Sequence, residues 1–204
     1  MAADNPVSPE QLLERARAGD GQALAELLSL YRNYLAILAR VHIDTNLQAK
    51  ADPSDLAQEA CLQAARDFPQ FRGSTEAEFT AWLRKILANR GIAMIRHYKA
   101  AQRRDVMREE KIASGIDLSA QALARVVSPR YSPSQSAARR EMAVLLADAL
   151  ATLPSHYRDA LVLHHLERRP LAEVAERLDR SVDSVKKLLA RGLIRLRALM
   201  EDEP

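Results

Sequence analysis

Apolar residues recur every three to four positions over most of the chain, the spacing that lays them along one side of an α-helix. From Glu10 to about Ile43, Leu12, Leu13, Leu24, Leu27, Leu28, Tyr31, Leu35 and Leu38 keep that spacing, and Gly19-Asp20-Gly21 interrupts it. Two helices joined at a turn are predicted there. Residues 1–9 carry two prolines and no periodicity, and read as a frayed leader. Asp52-Pro53 starts a third helix. Its aspartate can accept from a free backbone N–H, and a proline in the first turn forfeits no bond. That helix carries Leu56, Ala60 and Leu62 as far as Phe68-Pro69. Beyond a loop over 70–75, a long helix is expected from about Glu76 to Glu110. Phe79, Trp82, Leu83, Ile86, Leu87, Ile92, Met94 and Ile95 supply its apolar side, and Gly91 is a place for a bend.

The pattern weakens after Lys111. Ser114-Gly115, Ser128-Pro129 and Ser132-Pro133-Ser134 punctuate a stretch with few large apolar residues, so 112–136 reads as a linker, with a short helix around 119–126. A second helical block follows: one helix over 137–151, another opened by Leu153-Pro154 and running to about Glu167, and then a pair split by a tight turn at Asp179-Arg180. In the first of that pair Leu171, Val174, Ala175 and Leu178 share a side. Ser181 can cap the second. At about 100° per residue, Val182, Val185, Leu188, Leu189, Gly192, Leu193 and Leu196 fall in one arc of that helix, and Lys186, Lys187, Arg191, Arg195 and Arg197 fall outside it. A short helix, a tight turn and a longer helix with a basic outer side make a helix-turn-helix. In that motif the second helix enters the major groove of DNA. A plain helical hairpin with a solvated basic face would show the same pattern.

Composition agrees with helix throughout. Among 204 residues there are 35 alanines and 29 leucines but only 22 valines, isoleucines and threonines together, so strand formers are scarce. The expected fold is therefore all-α: an N-terminal helical bundle and a C-terminal helix-turn-helix domain, joined by a flexible linker. The longest apolar run, Met142–Ala147, is far short of the ~20 residues a membrane span needs, and the N-terminus lacks the basic and apolar segments of a secretory signal. No membrane role and a cytoplasmic location follow as expectations. The single cysteine, Cys61, allows no internal disulfide and reads as thiol filler among Ala60, Leu62 and Ala64. His156, His164 and His165 lack partners at ligand spacing, so neither a metal nor another cofactor is expected. No phosphate loop, nucleophile–base pair or catalytic carboxylate pair is visible, and an enzyme is not expected.

A net charge of +3 names no partner, but its distribution is uneven. Arg84, Lys85, Arg90, Arg96, Lys99, Arg103 and Arg104 lie in a stretch without one acidic residue. A second basic stretch runs from Arg180 to Arg197 with Asp183 as its sole acid. Two such stretches suit two polyanion contacts. Of the nine aromatic residues, Phe68, Phe71, Phe79 and Trp82 cluster beside the first stretch. Aromatics next to a cationic surface suit stacking on unpaired bases. Trp82 and Phe79, at helical spacing with Ile86, read as core. Phe68 and Phe71 are open between the two roles.

Four segments in order resemble the extracytoplasmic-function (group 4) sigma factors of bacterial RNA polymerase. They are Ala18-Gly19-Asp20 with Ala23, Leu27 and Tyr31; the run from Asp52 through Asp55-Leu56-Ala57-Gln58-Glu59 to Cys61-Leu62; Phe71-Arg72-Gly73 with Phe79, Trp82-Leu83, Ile86-Leu87 and Asn89; and Leu153-Pro154, Arg158 and Leu163 with Leu171–Ala175 and Ser184-Val185-Lys186. The resemblance implies a core-binding and −10-binding domain over 10–111 and a −35-binding domain over 137–200. By position, Asp52, Asp55, Leu56, Gln58 and Glu59 would dock on the clamp coiled coil of the largest polymerase subunit. Arg72, Gly73, Ser74, Lys85, Asn89, Arg90, Arg96, Lys99, Arg103 and Arg104 would engage the −10 element as its strands part. Arg180, Ser181, Ser184, Lys186, Lys187, Arg191 and Arg195 would meet the −35 element as duplex. Core RNA polymerase, including the flap of its second-largest subunit, and promoter DNA, duplex and single-stranded, are the implied partners, with an anti-sigma factor as a further one.

This chain departs from the family at Asp183-Ser184, where Gly-Thr is common. A carboxylate near phosphates is unfavourable there unless it caps the helix or accepts from a cytosine amino group. Leu193 also stands where an arginine is frequent. Two other functions fit the residues: an autonomous dimeric helix-turn-helix regulator, which would read symmetric half-sites without polymerase, and a protein-binding adaptor with merely solvated basic faces. Specific initiation with added core polymerase separates the sigma factor from both.

Overall fold

The computed structural model describes residues 7–42, 52–98 and 136–201, all in helices and the turns between them. They fall into two compact units, divided along the chain between Ile116 and Asp117. Of the linker expected over 112–136, residues 112–135 lie outside the described residues, as do the helix expected over 119–126, the stretch 99–110 of the long helix, and Lys99, Arg103 and Arg104, while Ser136 already belongs to the next helix.

In the first unit, α1 (Pro9–Arg17) begins one residue earlier than the periodicity suggests. Ser8 caps it reciprocally with Gln11, which ends the irregular leader at Ser8. The α1–α2 turn explains Ala18-Gly19-Asp20 residue by residue. Gly19 takes φ +98°, a region that costs any side chain. The Asp20 N–H closes back on the Arg15 carbonyl at 3.0 Å. Asp20 Oδ1 then accepts from the N–H groups of Gln22 and Ala23 at 3.0 Å, capping α2 (Gly21–His42), while Arg15 grips its Oδ2 at 2.7 Å.

α3 (Pro53–Asp67) is capped by Asp52, which accepts from the Ser54 N–H at 2.8 Å. It presents Leu56, Ala57, Ala60 and Ala64 inward, and the three alanines let it lie close against α2. A 3₁₀ turn over Phe68–Gln70 leads to α4 (Glu76–Tyr98), which passes through Gly91 uninterrupted. Leu12, Leu13, Leu27, Tyr31, Leu35, Leu38, Leu56, Phe79, Leu83 and Leu87 fill the interior, each large side chain stabilising the unit by about 1.5–3 kcal/mol. One buried polar bond ties α2 to α4: the Tyr31 hydroxyl donates to Glu76 Oε1 at 2.7 Å. Burial, then the neighbouring carboxylate, raises the Tyr31 pKa far above its ordinary value, which keeps the donor proton in place.

The second unit contains α5 (Ser136–Thr152), α6 (Ser155–Leu161), α7 (Leu171–Arg177) and α8 (Val182–Glu201). The helix opened by Pro154 does not stay α-helical to Glu167. Val162–Leu166 form a π turn, closed by Glu167 N–H on the Val162 carbonyl at 2.9 Å. The wider turn accommodates Leu161, Val162, Leu163 and Leu166 as buried residues, more than one stripe of a regular helix offers. α8 packs on α5, α6 and α7. Gly192 sits where an added Cβ would lie 3.2 Å from Leu161 Cδ1 and 3.4 Å from Tyr157 Cβ, so its missing side chain sets how near α8 approaches α6.

Candidate nucleic-acid interfaces

The loop ahead of α4 is built around Phe71. Its ring lies 4.9 Å from Trp82, 5.7 Å from Phe79 and 5.9 Å from Phe68, centroid to centroid. Phe68 and Phe79 are buried, whereas Phe71 and Trp82 are half-exposed at the edge of the cluster. Phe79 is thus core, as its spacing suggests, and Phe68 joins it. Trp82 is only partly enclosed and shares the surface with Phe71. A Cβ on Gly73 would meet Phe71 Cζ at 2.4 Å and Glu78 Cβ at 2.9 Å, so the glycine in Phe71-Arg72-Gly73 is what lets the ring fold back under its own loop. Glu78 pins the other end. Its Oε2 accepts from the N–H of Ser74 at 2.9 Å and of Thr75 at 3.1 Å, and Thr75 Oγ1 accepts from the Glu78 N–H in return. Those bonds, the Ser74 N–H first, hold the Glu78 carboxyl below its ordinary pKa. Arg72 and Ser74 stay exposed on this fixed loop.

At about 100° per residue, Glu78, Ala81, Lys85 and Asn89 form one exposed stripe of α4, and the side chain of Arg96 lies outside the described residues. Arg90 does not belong to that stripe. It is turned toward α3, where its Nη2 donates to Gln63 Oε1, while Gln63 Nε2 donates to both Asp67 oxygens at 2.8 and 2.9 Å. The residue expected on DNA instead ties α4 to α3, because one residue beyond Asn89 is about a quarter-turn away.

On α3, Asp55, Gln58, Glu59 and Leu62 share the solvent side, with Leu62 53% exposed at its centre. Leu56, expected on a docking surface, is 4% exposed and packs inside. Its position is about 100° round the helix from Asp55 and about 120° from Leu62, on the side that meets the bundle.

In the second unit, α7, a four-residue turn and α8 form the helix-turn-helix. Asp179 takes a left-handed φ of 50°, and the Arg180 N–H closes on the Ala175 carbonyl at 2.9 Å. Ser181 Oγ accepts from the Ser184 N–H at 3.2 Å, capping α8 as its sequence position suggests. Val185, Leu189, Gly192 and Leu196 face inward, while Arg180, Lys186, Lys187 and Arg191 are exposed. Arg195, also exposed, lies with its guanidinium 4.9 Å above the Tyr157 ring, so part of its charge is engaged within the unit.

The chain matches the family model described as Sigma-70 region 2 over residues 27–104 and the one described as Sigma-70, region 4 over residues 143–196. The first covers the aromatic loop and α4, the second the helix-turn-helix. The chain belongs to the sigma-70 family. Similar proteins are ECF RNA polymerase sigma-E factor of Haemophilus influenzae, 27% identical over 91% of this chain and 92% of its own, and ECF RNA polymerase sigma factor SigW of Bacillus subtilis, 25% identical over 93% and 95%. Among solved structures, CnrH in complex with the cytosolic domain of CnrY aligns over 96% of this chain and 99% of its own, at 23% identity and a TM-score of 0.35. Carrying regions 2 and 4 together, this is a promoter-directing sigma factor of RNA polymerase, of the extracytoplasmic-function branch. Sigma factors are non-enzymatic initiation factors that work on core polymerase and promoter DNA. The autonomous regulator is not favoured.

Sequence reasoning missed three residues of this sigma factor's surface. Leu62 was visible as an apolar residue on the acidic side of α3. Glu78 was legible as the fourth member of a Thr75-x-x-Glu78 capping box. Gln63 gave no signal, since its partners come from two helices. The histidines have local roles: His164 Nδ1 lies 2.9 Å from the Arg169 carbonyl, and His165 lines a shallow apolar groove with Leu146, Leu150, Leu161, Leu166, Leu193 and Leu196. Leu193, standing where relatives often carry arginine, thus faces the groove. Burial, and then His164, lowers the His165 pKa. Cys61 is half-buried, and burial raises its thiol pKa. Among the described residues, no three His, Cys, Asp or Glu side chains are grouped to hold a metal ion, and no helix is long and apolar enough to cross a membrane.

Proposed function

We propose that this sigma factor divides its work between surfaces on its two units. Residues 10–111 hold the polymerase and the −10 element, 137–200 hold the −35 element, and 112–136 connect them. The stripe Asp55, Gln58, Glu59 and Leu62, with Asp52 at its head, docks on the clamp coiled coil, its carboxylates pairing with cationic side chains around one apolar contact. Arg72, Gly73 and Ser74, with the half-exposed Phe71 and Trp82, receive an unpaired base. Lys85, Asn89 and Arg96, continued by Lys99, Arg103 and Arg104, follow the melted strand. Extruding a base costs a few kcal/mol, which the cluster and the cationic stripe must return. Arg180, Ser181, Ser184, Lys186, Lys187 and Arg191 meet duplex DNA, Arg195 contributing from its place on Tyr157. The chain does no bond chemistry of its own on this reading, and it works in the cytoplasm where the polymerase is.

The observation that carries the −35 assignment is the serine-capped α8, with Lys186, Lys187 and Arg191 exposed on the side opposite its buried seam. The test is transcription from mapped promoters with core polymerase and the full chain. Lys187→Ala with Arg191→Ala should cut specific initiation and lower the slope of log binding against log salt by about two. An unchanged slope removes the assignment.

A further inference from the structure

The outward side of α8 carries one carboxylate within its first turn, Asp183, whose side chain is 82% exposed. Beyond the modest favour any acid finds at a helix N-terminus, the hydrogen-bonding roles open to Asp183 within the unit are taken or nearly empty. Capping belongs to Ser181, which already accepts from the Ser184 N–H. Pairing amounts to one long contact, Lys186 Nζ at 3.4 Å, between two solvated groups, and such pairs contribute little.

At about 100° per residue, Asp183 lies near the midline of the outward face, with Lys186 about 60° to one side and Lys187 and Arg191 about 40° and 80° to the other. A helix seated in the major groove turns its midline to base edges and its flanks to the two backbones. The cations then meet phosphates and the carboxylate meets bases. A carboxylate only accepts. The donors in the major groove are the amino groups at cytosine N4 and adenine N6, and the adenine amino group sits beside the N7 acceptor, which repels the second carboxylate oxygen. Cytosine is the base that fits.

Resting on the reading of α7–α8 as the −35 reader, we propose that Asp183 is a specificity-determining residue that accepts from the N4 amino group of one cytosine in the upstream promoter element. Such a contact narrows the set of promoters this chain accepts.

The test is selection by reconstituted holoenzyme, full chain plus core polymerase, from a promoter library randomised across the upstream element. Wild type should enrich cytosine at one position. Asp183→Ala should lose that preference by roughly tenfold, the usual scale for one base contact, with the other positions unchanged. Asp183→Asn should move the preference toward adenine, whose N6 and N7 an amide meets bidentately. Retained cytosine preference in Asp183→Ala overturns the proposal. So does a uniform rise in initiation on all sequences, which would mark Asp183 as a phosphate repellent, or a uniform fall, which would mark it as a support for Lys186. Should wild type select no upstream sequence while still initiating, the −35 reading itself fails, and the base contact with it.

Discussion

Gly73→Ala puts the aromatic loop to a direct test. The new methyl would stand 2.4 Å from Phe71 Cζ, 2.8 Å from Phe71 Cε2 and 2.9 Å from Glu78 Cβ, against the ~3.5–4.0 Å of ordinary carbon contacts. Glu78 Cβ is fixed by the first turn of α4, so the ring must move. Phe71 then gives up contacts with Phe68, Phe79 and Trp82, each worth about 0.5–1.5 kcal/mol at full strength. Because the ring is only half-buried, part of that contact energy returns as solvation, and the alanine restricts the unfolded chain by about 0.4–1 kcal/mol in the opposite sense. The net expectation is a destabilisation of about 1–3 kcal/mol. Trp82 is the only tryptophan and sits in the cluster, so urea unfolding followed by its fluorescence reports this unit alone. The midpoint should fall and the native emission should shift as the ring leaves. An unchanged midpoint with unchanged emission would refute the account of why glycine follows Phe71-Arg72.

Gly19→Ala should cost about 1–2 kcal/mol by the same assay without altering Trp82 emission, since nothing lies within 4 Å of the added carbon and the penalty is purely that of φ +98°. Leu62→Ser should leave the urea midpoint within about 0.5 kcal/mol, being a surface change, yet weaken co-purification with core polymerase; full retention would move the docking surface off α3. The depressed Glu78 carboxyl gives stability that is complete above its ordinary pKa of 4.5 and is lost as pH falls through its lower folded value. Acid titration of Trp82 emission should therefore show a loop transition below that pH, flattened in Glu78→Gln, and equal curves would remove the capping role.

Local features were readable from residue order because their causes are local. Helix starts at Asp52 and Ser181, the turns at Gly19-Asp20 and Asp179-Arg180, and the apolar seam of α8 each depend on residues within a few positions of one another. The helix-turn-helix and the resemblance to sigma factors follow from them. What periodicity could not determine was which side of a helix has neighbours on more than one face. α4 lies against both α2 and α3, so its exposed stripe is narrow, and Arg90 falls outside it although its neighbour Asn89 falls within. Leu56 and Leu62 are both leucines of one helix. Only the packing of α3 against α2 decides that the first is core and the second is surface. The π turn at Val162–Leu166 and the close approach at Gly192 also arise from packing between helices, where the balance is set by contacts far apart in the chain.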